Sequence, residues 1–561
     1  MAAQKLELTW IGKDRIEFLE PRIMIENKKL SNTLNDYDVK NIMIHGDNLL
    51  ALKSLLTEYS GKIKCIYIDP PYNTGKAFNT YDDNIEHSIW LSLMRERLTI
   101  LKQLLADDGV FFAQINDDEY AYLKVLCDEI FGRNNYETTF YVKVRHENRI
   151  LREDTRWQLC VEQVLCYKKT DLFVAPRRAK EKNAQLDYKY EVEIIGEPKE
   201  IVKIGNYDVE VYKPTSWKYK KVNDGEGHYK QYQIRGSLIT QKGSASEYYE
   251  FYLRSRREKD GLGTLYKVIG MGMNGDGLGY RYIMQPEKEK SKNGFYFQGL
   301  PKKTKSDKGL PYPNFYDMTL EFNNAGYEGF GYFNGGKKPE AWIEFLLNFA
   351  QIKENEYVLD SFLGSGTTAA VCLKKGYNFI GIEMEDDNAY NLCKPRFDMI
   401  INHEDKNGIN TDCEKIRGYK FYELAPTLVN HDLLGEPIIN KEYNPDMLAA
   451  AVALHEGFKY CPNADVFWKQ SKSSENAYLF VTTLHLSDLL VKEIEKQMSE
   501  DEFLLIACKS FDKSAANISD KIKIKKIPQM LLGKCEFGKD DYSLNIVNPP
   551  VYEYEEEDCD E

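Results

Sequence analysis

The sequence KIKCIYIDPPYNTG, residues 62–75, organises our interpretation of the chain. Its apolar run, CIYI, is short and β-rich, which predicts a buried parallel strand. Asp69 and Tyr72 follow at the carboxyl end of that strand, where open α/β sheets bind their ligands. Pro70 and Pro71 fix φ and lack N–H donors, so carbonyl groups in this rigid turn face outward as acceptors. A carboxylate, a carbonyl and a flat ring suit an exocyclic amine on a planar heterocycle; the alternative is a strand-ending turn with a surface tyrosine.

Composition indicates a soluble globular protein of two to four domains. The 561 residues are too many for one core, and 42% hydrophobic and 29% charged content is ordinary for such proteins. No run approaches the roughly 18 apolar residues that span a bilayer, and residues 1–15 have no signal-peptide core. The eleven cysteines are scattered without metal-binding spacing. We therefore expect a cytoplasmic protein with reduced thiols, no membrane association and no metal site.

Charge is distributed unevenly along the chain. The net charge is −13, yet residues 141–330 contain 34 Lys and Arg against 26 Asp and Glu. Cationic clusters at 254–257 and 302–305 lie among many tyrosines, a mixture that suits phosphate contacts and base stacking. A basic segment in an acidic protein indicates a nucleic-acid backbone as partner; a solvated charged loop region is the alternative.

Strands and helices alternate on both sides of this basic segment. The pattern predicts an α/β fold with a doubly wound, mostly parallel sheet. Between about 170 and 330 the alternation stops without a sustained period, and we expect an irregular insertion there. The expected organisation is an N-terminal arm (1–38), one α/β domain in two parts (39–170 and 331–425), the insertion between them (171–330), a small α/β domain (426–550) and an acidic tail (551–561).

The individual elements are predicted from hydrophobic period and turn residues. Before the insertion we expect strands at 41–47, 65–68, 110–115 and 162–168, helices at 48–59, 91–105 and 119–131, and a turn at 107–109. After it we expect helices at 340–349 and 369–375 and strands at 357–360 and 378–383. In the last domain, strands at 478–482 and 503–508 flank a helix at 487–498.

A second ligand site is predicted in DSFLGSGTT, residues 360–368. Its glycines allow close approach of the backbone to a ligand, and the following helix offers free N–H groups to a carboxylate or phosphate. It is not a Walker loop, because no Lys-Ser/Thr follows the last glycine, and the three-glycine dinucleotide pattern is incomplete. Glu383 ends the next strand, where an acidic side chain accepts hydrogen bonds from ribose hydroxyls. The set fits S-adenosylmethionine, with Asp360 or its neighbours at the methionine amine; a structural turn with chance glycines is the alternative.

Together these stretches resemble the amino-methylating DNA methyltransferases of the β order, in which the catalytic motif precedes the cofactor motif. DPPY at 69–72 matches the catalytic motif, residues 360–366 match the cofactor loop, and FNGGKKP at 333–339 matches the segment before that loop. HSIWLSLMRERL at 87–98 and NDDE at 116–119 are similar to motifs of type III modification (Mod) subunits. The resemblance implies a Rossmann-like, S-adenosylmethionine-dependent methyltransferase fold with permuted motif order, and a target-recognition domain in the insertion.

The resemblance also assigns roles to residues. Asp69 and the Pro70 carbonyl would accept the two amino hydrogens of adenine, and Tyr72 would stack on a base flipped from the duplex. The catalytic set is Asp69, Pro70, Pro71 and Tyr72. Cofactor contacts are expected from Asp47, Phe333, Lys337, Asp360, Phe362, Gly364, Gly366, Thr367 and Glu383. Asp47 is alternatively the N-cap of the helix at 48–59 and Lys337 a surface lysine, while His87 and Trp90 are expected to pack.

The expected function is site-specific methylation of adenine N6 in double-stranded DNA, with S-adenosylmethionine as cofactor, in a restriction–modification or phage-defence system. The resemblance implies a homodimer and a helicase–nuclease restriction subunit as partners. Aspartate at the first motif position favours adenine; cytosine N4 is the alternative within the family. Methylation of RNA or of a protein amide is disfavoured by the motif order and the basic insertion. A catalytically inactive DNA-binding subunit is disfavoured by the intact motifs.

Overall fold

The computed structural model of the chain distinguishes two compact units. The discontinuous unit comprises Met1–Pro176 with Pro313–Glu561, and the inserted unit comprises Arg177–Tyr312. The residues that the structure describes are 7–14, 19–34, 38–72, 87–148, 157–178, 187–234, 244–273, 275–301, 309–329, 336–411, 416–474, 476–527 and 529–531.

Strands and helices are numbered in chain order. The strands are β1 (Met24–Glu26), β2 (Asn41–His45), β3 (Ile63–Ile68), β4 (Leu105–Ile115), β5 (Tyr136–Lys143), β6 (Val161–Lys168), β7 (Tyr190–Ile194), β8 (Glu200–Ile204), β9 (Tyr207–Tyr212), β10 (Trp217–Lys221), β11 (Tyr229–Gln233), β12 (Leu265–Ile269), β13 (Tyr280–Met284), β14 (Phe295–Gly299), β15 (Phe315–Asp317), β16 (Tyr357–Asp360), β17 (Asn378–Glu383), β18 (Tyr419–Leu424), β19 (Val429–His431), β20 (Pro437–Ile439), β21 (Lys459–Tyr460), β22 (Ser471–Ser474), β23 (Ala477–Leu486), β24 (Phe503–Phe511) and β25 (Ile522–Lys526). The helices are α1 (Asn48–Tyr59), α2 (His87–Leu104), α3 (Asp117–Cys127), α4 (Ala245–Tyr248), α5 (Arg257–Asp260), α6 (Thr319–Asn324), α7 (Glu340–Phe349), α8 (Thr367–Lys375), α9 (Lys394–Ile401), α10 (Pro445–Glu456) and α11 (Asp488–Gln497).

The discontinuous unit is built on a ten-stranded sheet in the order β1-β18-β2-β17-β16-β3-β4-β6-β5-β15. The strands from β18 to β4 in that order all run parallel, whereas β1 and β6 are antiparallel to their neighbours. Phe111 on β4 packs on Phe131, while the next residue, Phe112, packs on Phe349 of α7. Because successive strand residues point to opposite faces, helical segments cover both faces of the sheet. The predicted doubly wound, mostly parallel sheet is confirmed.

The carboxyl ends of four adjacent parallel strands bring the predicted acidic residues to one edge. Asp69 directly follows β3, Asp360 is the last residue of β16 and Glu383 is the last residue of β17. Asp47 follows β2, which pairs with β17 through His45 and Glu383. The catalytic and cofactor motifs are far apart in sequence, yet β3 and β16 are neighbours in the sheet. This edge is where open α/β sheets hold their ligands.

Several elements before the insertion differ from expectation: β1 was not expected, α2 begins at His87 instead of residue 91, and β4 and β5 also differ. β4 begins at Leu105, and the predicted turn at 107–109 is a bulge within it, because Leu105 pairs with Ile63 while Val110 pairs with Cys65. Gly109 suits that bulge, since a Cβ there would lie 2.8 Å from the Ala106 carbonyl oxygen. β5 was not expected; its sequence, YETTFYVK, is too polar to stand out as an apolar run.

The inserted unit is not irregular, as the sequence suggested, but holds an eight-stranded sheet in the order β10-β7-β11-β14-β13-β12-β9-β8. All of its strand pairs are antiparallel. Alternation is present but short: in β9, Val209 and Val211 are buried on either side of Glu210. Many core positions are tyrosines, such as Tyr266, whose polar tip weakens the apolar period in the sequence. The boundaries 171–330 of a target-recognition domain remain a prediction.

A smaller sheet lies in the C-terminal part of the discontinuous unit. Its strand order is β21-β22-β23-β24-β25, and β23, β24 and β25 run parallel. α11 connects β23 to β24, with the Ser487 side chain accepting a hydrogen bond from the Leu490 N–H as its N-cap. The predicted strands at 478–482 and 503–508 and the helix between them are therefore present, whereas a separate domain at 426–550 remains a prediction. In the described part of the chain, no helix is long and apolar enough to cross a bilayer.

Candidate active site

The carboxylate of Asp69 is engaged by two donors. The Tyr72 hydroxyl donates to Oδ1 at 2.7 Å, and Lys338 Nζ lies 2.7 Å from Oδ2. The Asp69 side chain is 22% exposed and that of Lys338 is 5% exposed. The carboxylate is therefore fixed from inside the protein while its outer side remains open.

A second carboxylate, Glu162, completes this cluster. β6 is antiparallel to β4, so its first residues meet the carboxyl end of β4. The Tyr72 hydroxyl lies 3.0 Å from Glu162 Oε2, so it bridges the two carboxylates. Lys338 Nζ lies 3.6 Å from the same Glu162 oxygen and 5.0 Å from the centre of the Tyr72 ring. We call Asp69, Tyr72, Glu162 and Lys338 the amine cluster.

Buried polar side chains hold the amine cluster in place. Gln114 Nε2 donates to Glu162 Oε2 at 2.6 Å. The Gln114 Oε1 atom accepts from the Tyr67 hydroxyl at 2.9 Å and from the Trp342 indole at 3.1 Å. Trp90 is fully buried, as the packing expectation requires, and also donates to the Pro71 carbonyl at 2.8 Å. Buried networks whose groups are paired in this way are rigid, so the turn and its carboxylates are preorganised.

Burial and like charge set the protonation of the cluster. Burial raises the pKa of Asp69, and Glu162 adds to this, while the Lys338 ammonium opposes it. Burial alone would lower the pKa of Lys338, but the charges of Asp69 and Glu162 outweigh it and raise that pKa above its usual value. Burial followed by Asp69 raises the pKa of Tyr72 well above its usual value. Lys338 is thus a cation, and Tyr72 a neutral donor.

The loop after β16 is held by the carboxylate of Asp360. The Phe362 N–H donates to Oδ1 at 3.0 Å, and the Thr368 hydroxyl donates to Oδ2 at 2.6 Å. Burial is the largest reason that the pKa of Asp360 is raised to about 7, and Asp69 and Glu383 add to it. Phe362 is buried in the main core. Asp360 therefore shapes the loop as well as lining the edge.

The glycines of this loop serve the turn into α8. Gly366 is the left-handed N-cap of α8 with φ of 77°, and a Cβ there would lie 3.0 Å from Phe397 and 3.1 Å from Cys393. The Gly364 N–H donates to Glu383 Oε2 at 2.6 Å. Thr367 Oγ1 accepts from Arg396 Nη1 at 3.1 Å. The loop is thus clamped by Glu383 on one side and Arg396 on the other.

The remaining predicted cofactor residues lie in different surroundings. Asp47 caps α1, accepting from the Leu50 N–H at 3.0 Å, and its Oδ2 lies 3.8 Å from Arg97 Nη2. Lys337 donates to the Glu328 carbonyl, and burial followed by Arg396 lowers its pKa to about 8. Phe333 lies outside the described residues. The capping alternative for Asp47 is therefore realised, and its cofactor role remains a prediction.

Glu162 and Lys338 were not singled out from the sequence. Glu162 is an acidic residue near the start of β6, just before the apolar run at 164–166, a signal that could have marked it. Lys338 is the second lysine of a matched motif, in which the first, Lys337, was preferred. Among the described residues, no group of three or more His, Cys, Asp or Glu side chains could hold a metal ion.

A protein-family profile and several known proteins are similar in sequence to this chain. The profile of N6_N4_Mtase, described as DNA methylase, matches residues 63–392, more than half of the chain. The "Probable type III restriction-modification enzyme HindVI Mod subunit" of Haemophilus influenzae is 32% identical over 430 residues, covering 69% of this chain and 54% of that protein. The type III EcoP15I Mod subunit of Escherichia coli is 25% identical over 559 residues, covering 82% of this chain and 78% of that protein.

The chain spans about half the length of the HindVI Mod subunit. Solved structures match the chain more distantly. A crystal structure of an M1.HpyAVI–SAM complex has a TM-score of 0.27 and 16% identity, covering 63% of this chain and 99% of that one. The profile match includes both the turn at 69–72 and the loop at 360–366. The resemblance stated from the motifs is confirmed, and the chain belongs to the N6_N4_Mtase family of DNA methylases.

Proposed function

We propose that this chain transfers a methyl group from S-adenosylmethionine to adenine N6 in double-stranded DNA, as the modification component of a restriction–modification or phage-defence system. The observation that carries the proposal is the rigid amine cluster at the carboxyl end of β3, beside the loop after β16. Family membership supports the reaction class, and the Mod-subunit relatives support the biological setting. Pairing with a restriction subunit and dimer formation belong to the same proposal.

The loop after β16 fits the proposed cofactor. Ser361 Oγ is buried without a hydrogen-bond partner among the described residues, so it is available to a ligand. α8 has no acidic side chain in its first turn, which leaves its N-terminus suited to a carboxylate. Asp360, Asp69 and Glu383 give the edge a negative character that suits a sulfonium and an ammonium. When bound, S-adenosylmethionine supplies an electrophilic methyl group.

The amine cluster supplies the other half of the reaction. The lone pair of an adenine amino nitrogen is delocalised into the ring, which makes it a weak nucleophile. Asp69 Oδ2 and the Pro70 carbonyl accept the two amino hydrogens and favour a pyramidal nitrogen with a localised lone pair. Tyr72 stacks on the base after it leaves the duplex. Positioning and electrostatics provide the acceleration in this scheme.

The inserted unit is proposed to read the DNA sequence. Residues 177–312 contain 27 Lys and Arg against 18 Asp and Glu, although the whole chain has a net charge of −13. This local excess of cations suits the phosphate backbone, and base edges would be read by side chains that the sheet positions. Aspartate at position 69 supports adenine over cytosine as the target.

Modified-base sequencing of DNA from cells expressing the chain tests the proposal. We expect N6-methyladenine in one short sequence context, and its loss in Asp69→Ala. Asp108→Ala, which removes a half-exposed carboxylate paired with Lys64 on the same sheet, is the matched control and should methylate normally. N4-methylcytosine in place of N6-methyladenine would refute the choice of base. Marks that persist in Asp69→Ala would refute the role of Asp69.

A further inference from the structure

Lys338 makes the contacts that the proposed target amine would make. Its ammonium lies 2.7 Å from Asp69 Oδ2, the oxygen that would accept an amino hydrogen. It also lies 5.0 Å from the centre of the Tyr72 ring, on which the base would stack. The other oxygen, Asp69 Oδ1, accepts from the Tyr72 hydroxyl. A target amine therefore meets a carboxylate whose two oxygens already have donors.

We propose that Lys338 is an internal stand-in for the target amine, and that the entering base displaces its ammonium from Asp69 to Glu162. This inference rests on the proposed function and adds a gating step and two positioning residues to it. No covalent bond changes in the step. One hydrogen-bonded ion pair is exchanged for another while the amino group of the base takes the vacated Asp69 oxygen.

The geometry makes Glu162 the receiving carboxylate. Lys338 Nζ is already 3.6 Å from Glu162 Oε2, so a small side-chain movement completes the transfer. Gln114 holds that oxygen at 2.6 Å and keeps it in place during the exchange. Lys338 is 5% exposed, and a buried cation that loses its partner incurs a large desolvation cost. Without Glu162, Lys338 would therefore remain on Asp69 and exclude the amine.

Lys338 also keeps Asp69 ionised before the base arrives. The titratable groups that face Asp69 among the described residues are Lys338, Glu162, Tyr72, Tyr67 and Asp360. Lys338 is the cation of this set. Removal of a nearby opposite charge raises the pKa of a carboxyl, because its ionised form loses a stabilising partner. A Lys338→Met enzyme should therefore lose activity at a higher pH than wild type as the pH falls.

A double-mutant cycle in the full-length protein tests the exchange. The probe is a duplex oligonucleotide containing the sequence context found by modified-base sequencing, with tritiated S-adenosylmethionine, and kcat/KM for DNA is measured at pH 9. We expect Glu162→Gln to lower kcat/KM about tenfold in the wild-type background and by less than about twofold in the Lys338→Met background. The pair Lys375→Met and Glu344→Gln, which removes an ion pair of 2.5 Å outside the amine cluster, is the matched control cycle and should leave kcat/KM unchanged.

The outcomes separate this inference from the function on which it rests. Wild-type enzyme that methylates no DNA refutes the proposed function. Wild-type enzyme that methylates, with equal losses from Glu162→Gln in both backgrounds, refutes the exchange alone, because a merely structural Glu162 gives additive effects. An unchanged acid limb in Lys338→Met would likewise overturn the stand-in role. Loss of folding in any variant is detected by circular dichroism. If Lys338→Met does not fold, Lys338→Gln, which also removes the cation, replaces it in the cycle with the same expected and refuting outcomes.

Discussion

Replacement of Gly366 by alanine tests whether the loop before α8 is as closely packed as its geometry indicates. Gly366 has φ of 77°, and a Cβ would lie 3.0 Å from Phe397 and 3.1 Å from Cys393. A left-handed alanine costs about 1 kcal/mol relative to glycine. Forcing a methyl group against buried neighbours costs roughly 1 to 3 kcal/mol more. We therefore expect Gly366→Ala to lower the free energy of unfolding by about 2 to 4 kcal/mol.

Gly457 provides a matched control for the backbone term. It ends α10 with φ of 76° and ψ of 24°, close to the 77° and 19° of Gly366. Among the described residues other than its own chain neighbours, no atom lies within 4 Å of the position that a Cβ would occupy there. Gly457→Ala should therefore show only the strain of about 1 kcal/mol. Urea denaturation followed by fluorescence measures the free energy of unfolding of both variants. Equal destabilisation of the two variants would refute the prediction that Phe397 and Cys393 resist the added methyl group.

Three further predictions concern charge and domain structure. Glu340 is fully buried and lies 2.7 Å from both Lys374 and Arg396. Glu340→Gln should therefore lower the free energy of unfolding, measured by urea denaturation, by about 3 to 5 kcal/mol. The control is Glu344→Gln at a more exposed ion pair, which should cost less than about 1 kcal/mol. Burial raises the pKa of Asp360 to about 7 in the folded state, so the native state binds the proton more tightly than the unfolded chain. The stability of the wild type should therefore fall relative to that of Asp360→Asn as the pH rises from about 4 to 7. Curves of unfolding free energy against pH that run parallel for the two proteins would contradict this. Near the two ends of the inserted unit, Arg178 and Leu310 pair through two backbone hydrogen bonds of 2.8 Å. Replacing residues 177–312 by a short Gly-Ser linker should therefore preserve cofactor binding and abolish sequence-specific DNA binding, which gel-shift titration would measure. Loss of cofactor binding would show that the boundary of the unit lies elsewhere.

The sequence predicted the elements around the two motifs because their signals are local. The helix at 340–349 and the strands at 357–360 and 378–383 have the bounds expected from apolar period and flanking turns. The inserted sheet could not be predicted in the same way, since its strands are short and its core is rich in half-polar tyrosines. Its pairing is also set by contacts between distant segments, such as β9 with β12, that no local pattern encodes.

The motif at 333–339 did not predict which of its two lysines, Lys337 or Lys338, contacts Asp69. Both lysines lie in the matched segment before α7, and two identical adjacent residues give no indication of which one reaches the carboxylate of Asp69. In the structure Lys338 pairs with Asp69, whereas Lys337 donates to the Glu328 carbonyl. Adjacent side chains in a non-helical segment point in different directions, so a shift of one residue changes the chemistry available to the site.

The row of carboxylates at the sheet edge is itself an argument for a cationic ligand. The charges of Asp69 and Glu383 both oppose the ionisation of Asp360 and so raise its pKa. A turn could be held by neutral side chains, and like charges in a partly buried edge are unfavourable for folding. Lys338 compensates the Asp69 end, whereas the hydrogen bonds of Asp360 come from a backbone N–H and a hydroxyl, both neutral donors. The negative charge is therefore compensated at Asp69, where the proposed target amine binds, and remains uncompensated at Asp360, beside the proposed cofactor. A bound sulfonium would compensate the charge there.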